Sequence, residues 1–334
     1  METVNEIRTE KTEAKNFLKK LTKIREIALI FIIVLFSIVL SIANPVFLTS
    51  ENILNILLSI SITGFLTLGM TVALIAGGFD LSVGSVTALV GIIAGNIFIS
   101  TENIFLALLV SLLVALVMGS LNGLLITIGG LNPFIATLSI MGIARGLVYI
   151  ISKGAPMSLM KLPEWLKDIG RGHLFGIPYI VIIFFIAAII FHILLKYSRQ
   201  MRKVFYVGSN EDAAYFSGIN PNKIKFFVYL MIGFLCWIAG VLAIARFKSA
   251  SPTFGTGLEM TAISAAVIGG ASLSGGEGTV FGSTLGLILL GIVSGALVLL
   301  GISVYWQQLI SSLVLLIAVL MDSIIERTKA NKRI

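Results

Sequence analysis

Residues 104–127 read IFLALLVSLLVALVMGSLNGLLIT, twenty-four positions without a single charge. A helix needs about 20 mostly apolar residues to cross the hydrocarbon of a bilayer. The backbone polar groups of such a run must be satisfied inside the run itself, so this stretch predicts a membrane-spanning helix. The same test applied along the chain gives nine further candidates: 27–43, 53–76, 82–99, 133–151, 177–195, 224–245, 258–272, 279–300 and 304–324. The run at 258–272 is short and rich in glycine, and its limits are the least sharply marked. Composition agrees, since 57% of the 334 residues are hydrophobic and only 12% are charged. A soluble domain carries about 25% charged residues, so this chain cannot coat a water-exposed surface. Disorder is excluded for the opposite reason, an excess of apolar surface. The fold class is therefore all-α and polytopic, with about ten transmembrane helices.

The net charge of +8 raises the possibility of nucleic-acid binding, but the positions of the charges decide otherwise. Arg8, Lys11, Lys15, Lys19, Lys20, Lys23 and Arg25 precede the first span, and Lys196, Arg199, Arg202, Lys203, Lys223 and Lys225 lie in the 196–225 connection. Arg327, Lys329, Lys332 and Arg333 follow the last span. With an even number of spans all of these fall on one side, which the positive-inside rule makes cytoplasmic. The expected organisation is a basic segment 1–26, a ten-helix domain 27–324 and a tail 325–334, with both termini cytoplasmic and no nucleic-acid partner. Ser41 and Ala43 have the spacing of a signal-peptide cleavage site, but the long charged region before them favours an uncleaved first helix. The lone Cys236 lies inside a span and reads as a small packed hydrophobe.

Two regions echo each other. Gly77–Gly84 (GGFDLSVG) aligns with Gly269–Gly276 (GGASLSGG), and Pro45-x-Phe47-x-Thr49 matches Pro252-x-Phe254-x-Thr256. Both pairs sit at equivalent ends of spans separated by an even offset, which predicts a parallel repeat of two five-helix halves. Glycines four apart (Gly278/Gly282/Gly286, Gly91/Gly95, Gly119/Gly123, Gly142/Gly146) let helices approach closely. Packing within one subunit is the expected use of most of them.

Polar residues at membrane depth are costly and mark function. Asp80 follows two glycines that permit a break, and Ser82, Gly84 and Ser85 follow it. It is read either as a group facing a cavity or as a helix cap. Arg145, in the middle of a span, needs an anionic partner or a wet cavity. Glu259 opens the 258–272 run, and Asn122 is read as an interhelical hydrogen-bonding residue. Glu277 lies between glycines. In the 196–225 connection Ser209 or Asn210 can cap a short helix whose first turn holds Glu211 and Asp212, which suit its positive end. Gly218 stops it. No GxxxxGK[ST] phosphate loop is present, His173 and His192 stand apart from other ligand types, and no nucleophile elbow occurs. No enzyme activity, metal or cofactor is expected.

GGFDLSVGS (77–85), NPFIATL (132–138) with Arg145 after it, VGSNEDAAYFSGINPNKIK (207–225) and ASPTFGTGLEMTAISAAVIGGASLSGGEGTVFGSTLG (250–286) occur in this order. In these blocks the chain resembles the permease subunit of bacterial ABC sugar importers, most of all the ribose type. The resemblance implies a dimer of permeases, alike or paired with a sister, in the bacterial inner membrane. It also implies a separate cytoplasmic ATPase and an extracytoplasmic binding protein that delivers a monosaccharide. It further implies that Ser209, Asn210, Glu211, Asp212, Ala213, Ala214, Ser217 and Gly218 form the helix that couples to the ATPase. Asp80, Ser82, Asn132, Phe134, Arg145 and Glu259 are then expected to border the path. Glu277 departs from the family pattern, which has a basic or neutral residue there. Two alternatives stand beside this reading. One keeps the machinery but carries a nucleoside, an autoinducer-2-like furanosyl compound or a branched-chain amino acid. The other is an ion-coupled secondary transporter.

Overall fold

The computed structural model describes residues 26–303 together with Trp306, Leu309, Ile310, Ser312, Leu313, Leu316 and Leu320. The basic segment 1–25, the tail 325–334 and most of the expected span 304–324 lie outside the described residues. Among the described residues, eight helices are long and apolar enough to cross a membrane. They are α1 (Glu26–Ala43), α2 (Ser50–Ile75), α3 (Val83–Thr101), α4 (Ile104–Thr127), α5 (Pro133–Ser152), α7 (Tyr179–Tyr197), α10 (Pro221–Phe247) and α12 (Val280–Leu299). Four shorter helices lie between them among the described residues: α6 (Glu164–Arg171), α8 (Arg199–Ser209), α9 (Glu211–Phe216) and α11 (Leu258–Ile268). The two-residue strand β1 (Met157–Ser158) pairs antiparallel with β4 (Ser249–Ala250), and β2 (His173–Leu174) pairs with β3 (Ile177–Pro178).

The second half of α2 is the centre of the molecule, because every side chain from Ile60 to Ile75 is buried. A helix surrounded on all sides must satisfy its polar groups alone. Accordingly the Thr67 hydroxyl donates to the Thr63 carbonyl (3.1 Å) and that of Thr71 to the Thr67 carbonyl (2.7 Å). Glycines set how near the neighbours come. A side chain at Gly64 would run into the Phe184 ring of α7, and one at Gly282 or Gly286 of α12 into the Gly269 or Ala265 carbonyl at the end of α11. Gly291 and Gly295 receive Ile60 and Ile56 of α2. The quartet spacings are thus spent on packing within the subunit, with one exception. Among the described residues nothing approaches within 4 Å of a Cβ built on Gly142 or Gly146, so these residues leave that face of α5 open.

One expected span requires correction. The run 258–272 holds only the 11-residue α11. That length covers about 16 Å, half the hydrocarbon core. The helix stops at Gly269 and the left-handed Gly270 (φ 102°), and it is preceded by irregular backbone with left-handed Gly255 (φ 79°) and Gly257 (φ 83°). Both glycine-pair segments therefore end a helix, while both Pro-x-Phe-x-Thr segments are turns. The helices between them, α2 and α11, differ by more than twofold in length.

Candidate functional site

At the first break, the left-handed Gly77 (φ 80°) lets the Gly78 amide turn back onto the Ala73 carbonyl (2.9 Å), closing α2. Asp80 follows and is 1% exposed. Its Oδ1 accepts from the Ser82 amide (2.8 Å) and hydroxyl (2.6 Å), and its Oδ2 accepts from the Asn122 amide of α4 (3.2 Å). The same Asn122 Nδ2 donates to Ser82 Oγ (2.9 Å). Asp80 therefore organises the entrance to α3, tying it to a helix 42 residues downstream. Asn122 Oδ1 is buried without a hydrogen-bond partner among the described residues. Because each orphaned buried group costs about 1–3 kcal/mol, Asp80→Leu should lower the stability of the solubilised permease by about 2–4 kcal/mol. Asp80→Asn, which keeps an acceptor, should cost less. Thermal unfolding in detergent checks the order of the two.

The start of α5 meets this break. Asn132 caps α5, its side chain accepting from the Phe134 amide (2.8 Å), and the half-exposed Phe134 ring packs edge-on against Phe79 (6.3 Å between centroids). About 18 Å further along α5, Arg145 reaches the irregular segment that precedes α11. Its Nη1 donates to the carbonyls of Pro252 (2.7 Å) and Phe254 (3.0 Å). These belong to the segment 250–257, which lies along α3. Ala250 sits beside Gly91 and Gly95, while Gly255 lies against Gly84, where a side chain on either glycine would strike the other's carbonyl. Gly84 and Gly91 are two helical turns apart, so the segment runs about 10 Å along α3. Irregular backbone at membrane depth is tolerated only where it is buried in protein or lines a cavity, and here Arg145 satisfies two of its carbonyls. At the head of α11, Glu259 Oε1 accepts from the Gly257 amide (3.2 Å) and interacts electrostatically with Arg145. Next to this segment, a cavity of about 330 Å³ opens between α3 and α10, with Thr87, Gly91, Gly240, Phe247, Ser251 and Phe254 among its lining residues.

Thus the expected path residues fall into two groups. Asp80 and Ser82 are buried near Asn132 and Phe134, and Arg145 and Glu259 converge on the half-helix α11. The hydrogen-bond acceptors of Arg145 are backbone carbonyls, which carry no side-chain signature and could not be read from sequence.

In the 196–225 connection Asn210, rather than Ser209, caps α9, accepting from the Ala213 amide (2.8 Å). Ala214 is buried, and the Ser217 hydroxyl donates to the Ala213 carbonyl (2.8 Å). The left-handed Gly218 (φ 81°) ends the turn. Lys225 of α10 pairs with Glu211, while Asp212 is exposed. Two features were missed from sequence. The chain before α9 is itself helical, α8, burying Met201, Val204 and Val207 at every third position. The second is the exposed aromatic pair Tyr215 (64%) and Phe216 (86%) at the end of α9.

Residues 52–319 match the family described as the permease component of branched-chain amino acid transport systems. The ribose import permease protein RbsC of Haemophilus influenzae is 39% identical over 315 residues, covering 94% of this chain and 97% of that one. RbsC of Bacillus subtilis is 38% identical over 285 residues (85% and 88%). The L-arabinose ABC transporter permease protein AraH of Azospirillum brasilense is 35% identical over 283 residues (85% and 83%). No solved structure matches. With the match running from α2 past α12, the chain belongs to this family of multi-pass transport permeases.

Proposed function

We propose that the chain forms the membrane path of an ATP-driven importer for a monosaccharide, ribose or a similar pentose or hexose. An extracytoplasmic binding protein delivers the sugar, and a separate cytoplasmic subunit hydrolyses the ATP. Two permease copies enclose the path, and the open Gly142/Gly146 face of α5 is available to the second copy. Both termini are cytoplasmic. The cargo class rests on the relatives, whose names specify ribose and arabinose.

The observation that carries the reading is α9. A six-residue helix does not hold in water by itself, yet this one is capped, pinned by Lys225 and ends in two exposed aromatic side chains. That is the form of a docking element, and aromatic anchors dominate binding energy at interfaces. Alternating access then requires that the ATPase bind one permease conformation more tightly than the other. The breaks at Gly77 and Gly269 and the half-helix α11 are where the membrane path opens and closes, as in transporters built from interrupted helices.

Tyr215→Ser combined with Phe216→Ser tests this. Exposed substitutions change stability by about 0.5 kcal/mol or less, so the permease should reach the membrane in normal amounts. Sugar uptake and binding-protein-stimulated ATP hydrolysis should both be lost. Undiminished stimulated hydrolysis would place the docking surface elsewhere. A second cargo, a branched-chain amino acid, is favoured by the family description. Competition of labelled ribose uptake by excess arabinose but not by leucine distinguishes the two.

A further inference from the structure

The last turn of α8 enters a junction made almost entirely of glycine. A side chain at Gly208 would collide with the Ile75 carbonyl at the end of α2 and lie 2.8 Å from the Gly276 amide nitrogen. One at Gly275 would lie 2.6 Å from the Gly208 carbonyl oxygen and 2.9 Å from Gly77 Cα, and one at Gly276 would strike the Ser209 hydroxyl. Gly77, Gly275 and Gly276 all have left-handed φ (80°, 88° and 76°). The Gly276 amide donates to the Ile75 carbonyl (2.8 Å), joining the first break directly to the segment after the second. Only Ser209 and the cap Asn210 separate Gly208 from α9.

We infer that this junction is the mechanical link between the docking helix and both membrane breaks, and that it moves as one rigid block. The physical reason is the absence of side chains. Packed interiors transmit displacement because they hardly compress, and side chains supply what little give they have through rotamer changes. Here backbone meets backbone, with a hydrogen bond across the contact. A shift of α9 therefore displaces the inner end of α2 and the 269–279 segment together, instead of being absorbed between them. Gly208 is a positioning residue in this scheme, acting through Ile75 and Gly276. The inference rests on the proposed role of α9 and deepens it.

Hydrogen exchange on the wild-type permease, assembled with its ATPase and binding protein, tests the rigidity. Peptides covering 272–278 should exchange at the same rate in the nucleotide-free and nucleotide-trapped complexes, because the bond from Gly276 to Ile75 persists through the cycle. Acceleration of about tenfold in either state, the mark of local opening, would overturn the rigid block. Gly208→Ala provides the functional arm. Uptake per assembled complex should fall about tenfold, within the usual range for a lost coupling, while ATP hydrolysis continues. An unchanged ratio of sugar carried to ATP hydrolysed would overturn the role of Gly208. If Gly208→Ala fails to assemble, the exchange measurement alone decides. Failure of the Tyr215/Phe216 double variant to affect coupling would instead count against α9 as the docking helix, so the two readings fail separately.

Discussion

Gly233→Leu is expected to leave almost no folded permease in the membrane. Helices α4 and α10 lie backbone against backbone, so that a Cβ at Gly233 would be 2.5 Å from the Ala115 carbonyl oxygen and 3.3 Å from Gly119 Cα. Across the same seam a Cβ at Gly119 would be 2.5 Å from the Tyr229 carbonyl oxygen. One turn beyond Gly233, the Trp237 indole donates to the Leu108 carbonyl (3.1 Å) and to Ser111 Oγ (3.2 Å), fixing the register. Leucine is the better helix former by about 1 kcal/mol. Overpacking a side chain costs about 1–3 kcal/mol where neighbours can yield, and more where the obstacle is a carbonyl on a second helix. The steric term wins. Gly142→Ala is the contrast, since none of the described residues lies within 4 Å of the added Cβ and the α5 helix should gain about 1 kcal/mol. Yield and thermal unfolding of the two detergent-solubilised variants check both outcomes. A wild-type melting curve for Gly233→Leu would contradict the α4–α10 seam.

Arg145→Ala is expected to abolish most uptake while the permease remains in the membrane. The guanidinium holds the carbonyls of Pro252 and Phe254, and losing it orphans two acceptors at about 1–3 kcal/mol each. The cost falls on the segment 250–257 and the head of α11, which can shift to find other partners, so the fold persists and the path is misplaced. Displacing the working conformation by about 1.4 kcal/mol reduces its population tenfold, and uptake should fall by at least about that factor. Arg145→Lys offers one compact donor group in place of a planar fork and should restore part of the rate. Initial uptake of labelled ribose per unit of permease measures all three. Uptake at the wild-type rate in Arg145→Ala would remove this residue from the path.

What could be read along the chain was what lipid demands locally. Spans such as 104–127 and 133–151 agree with α4 and α5 to within a residue or two, because length and apolarity are sufficient conditions for a crossing helix. The run 258–272 misled for the same reason: averaged hydropathy treats Gly269, Gly270 and Ala271 as continuous with α11, although the glycines end it. The short amphipathic helices α6 and α8 escape a search for runs of 20 apolar residues, although the three-residue spacing of Met201, Val204 and Val207 was there to be seen. Within the site, Arg145, Glu259 and Asp80 stood out as charges in apolar surroundings. Their partners did not. Asn122 lies 42 residues from Asp80, and the acceptors of Arg145 are backbone carbonyls 107 and 109 residues away.

The sequence by itself determined that this is a many-helix membrane protein, roughly where each helix runs and which charges are out of place in lipid. Each of those properties follows from a residue and its near neighbours, since a backbone in hydrocarbon must satisfy itself segment by segment. Only the tertiary structure decided that α11 is a half-helix, that Arg145 secures the segment before it, and that Gly77, Gly208, Gly275 and Gly276 meet. A glycine contact is made by backbone alone. It is written in the sequence only as a missing side chain, and which backbone fills that space depends on how distant segments pack.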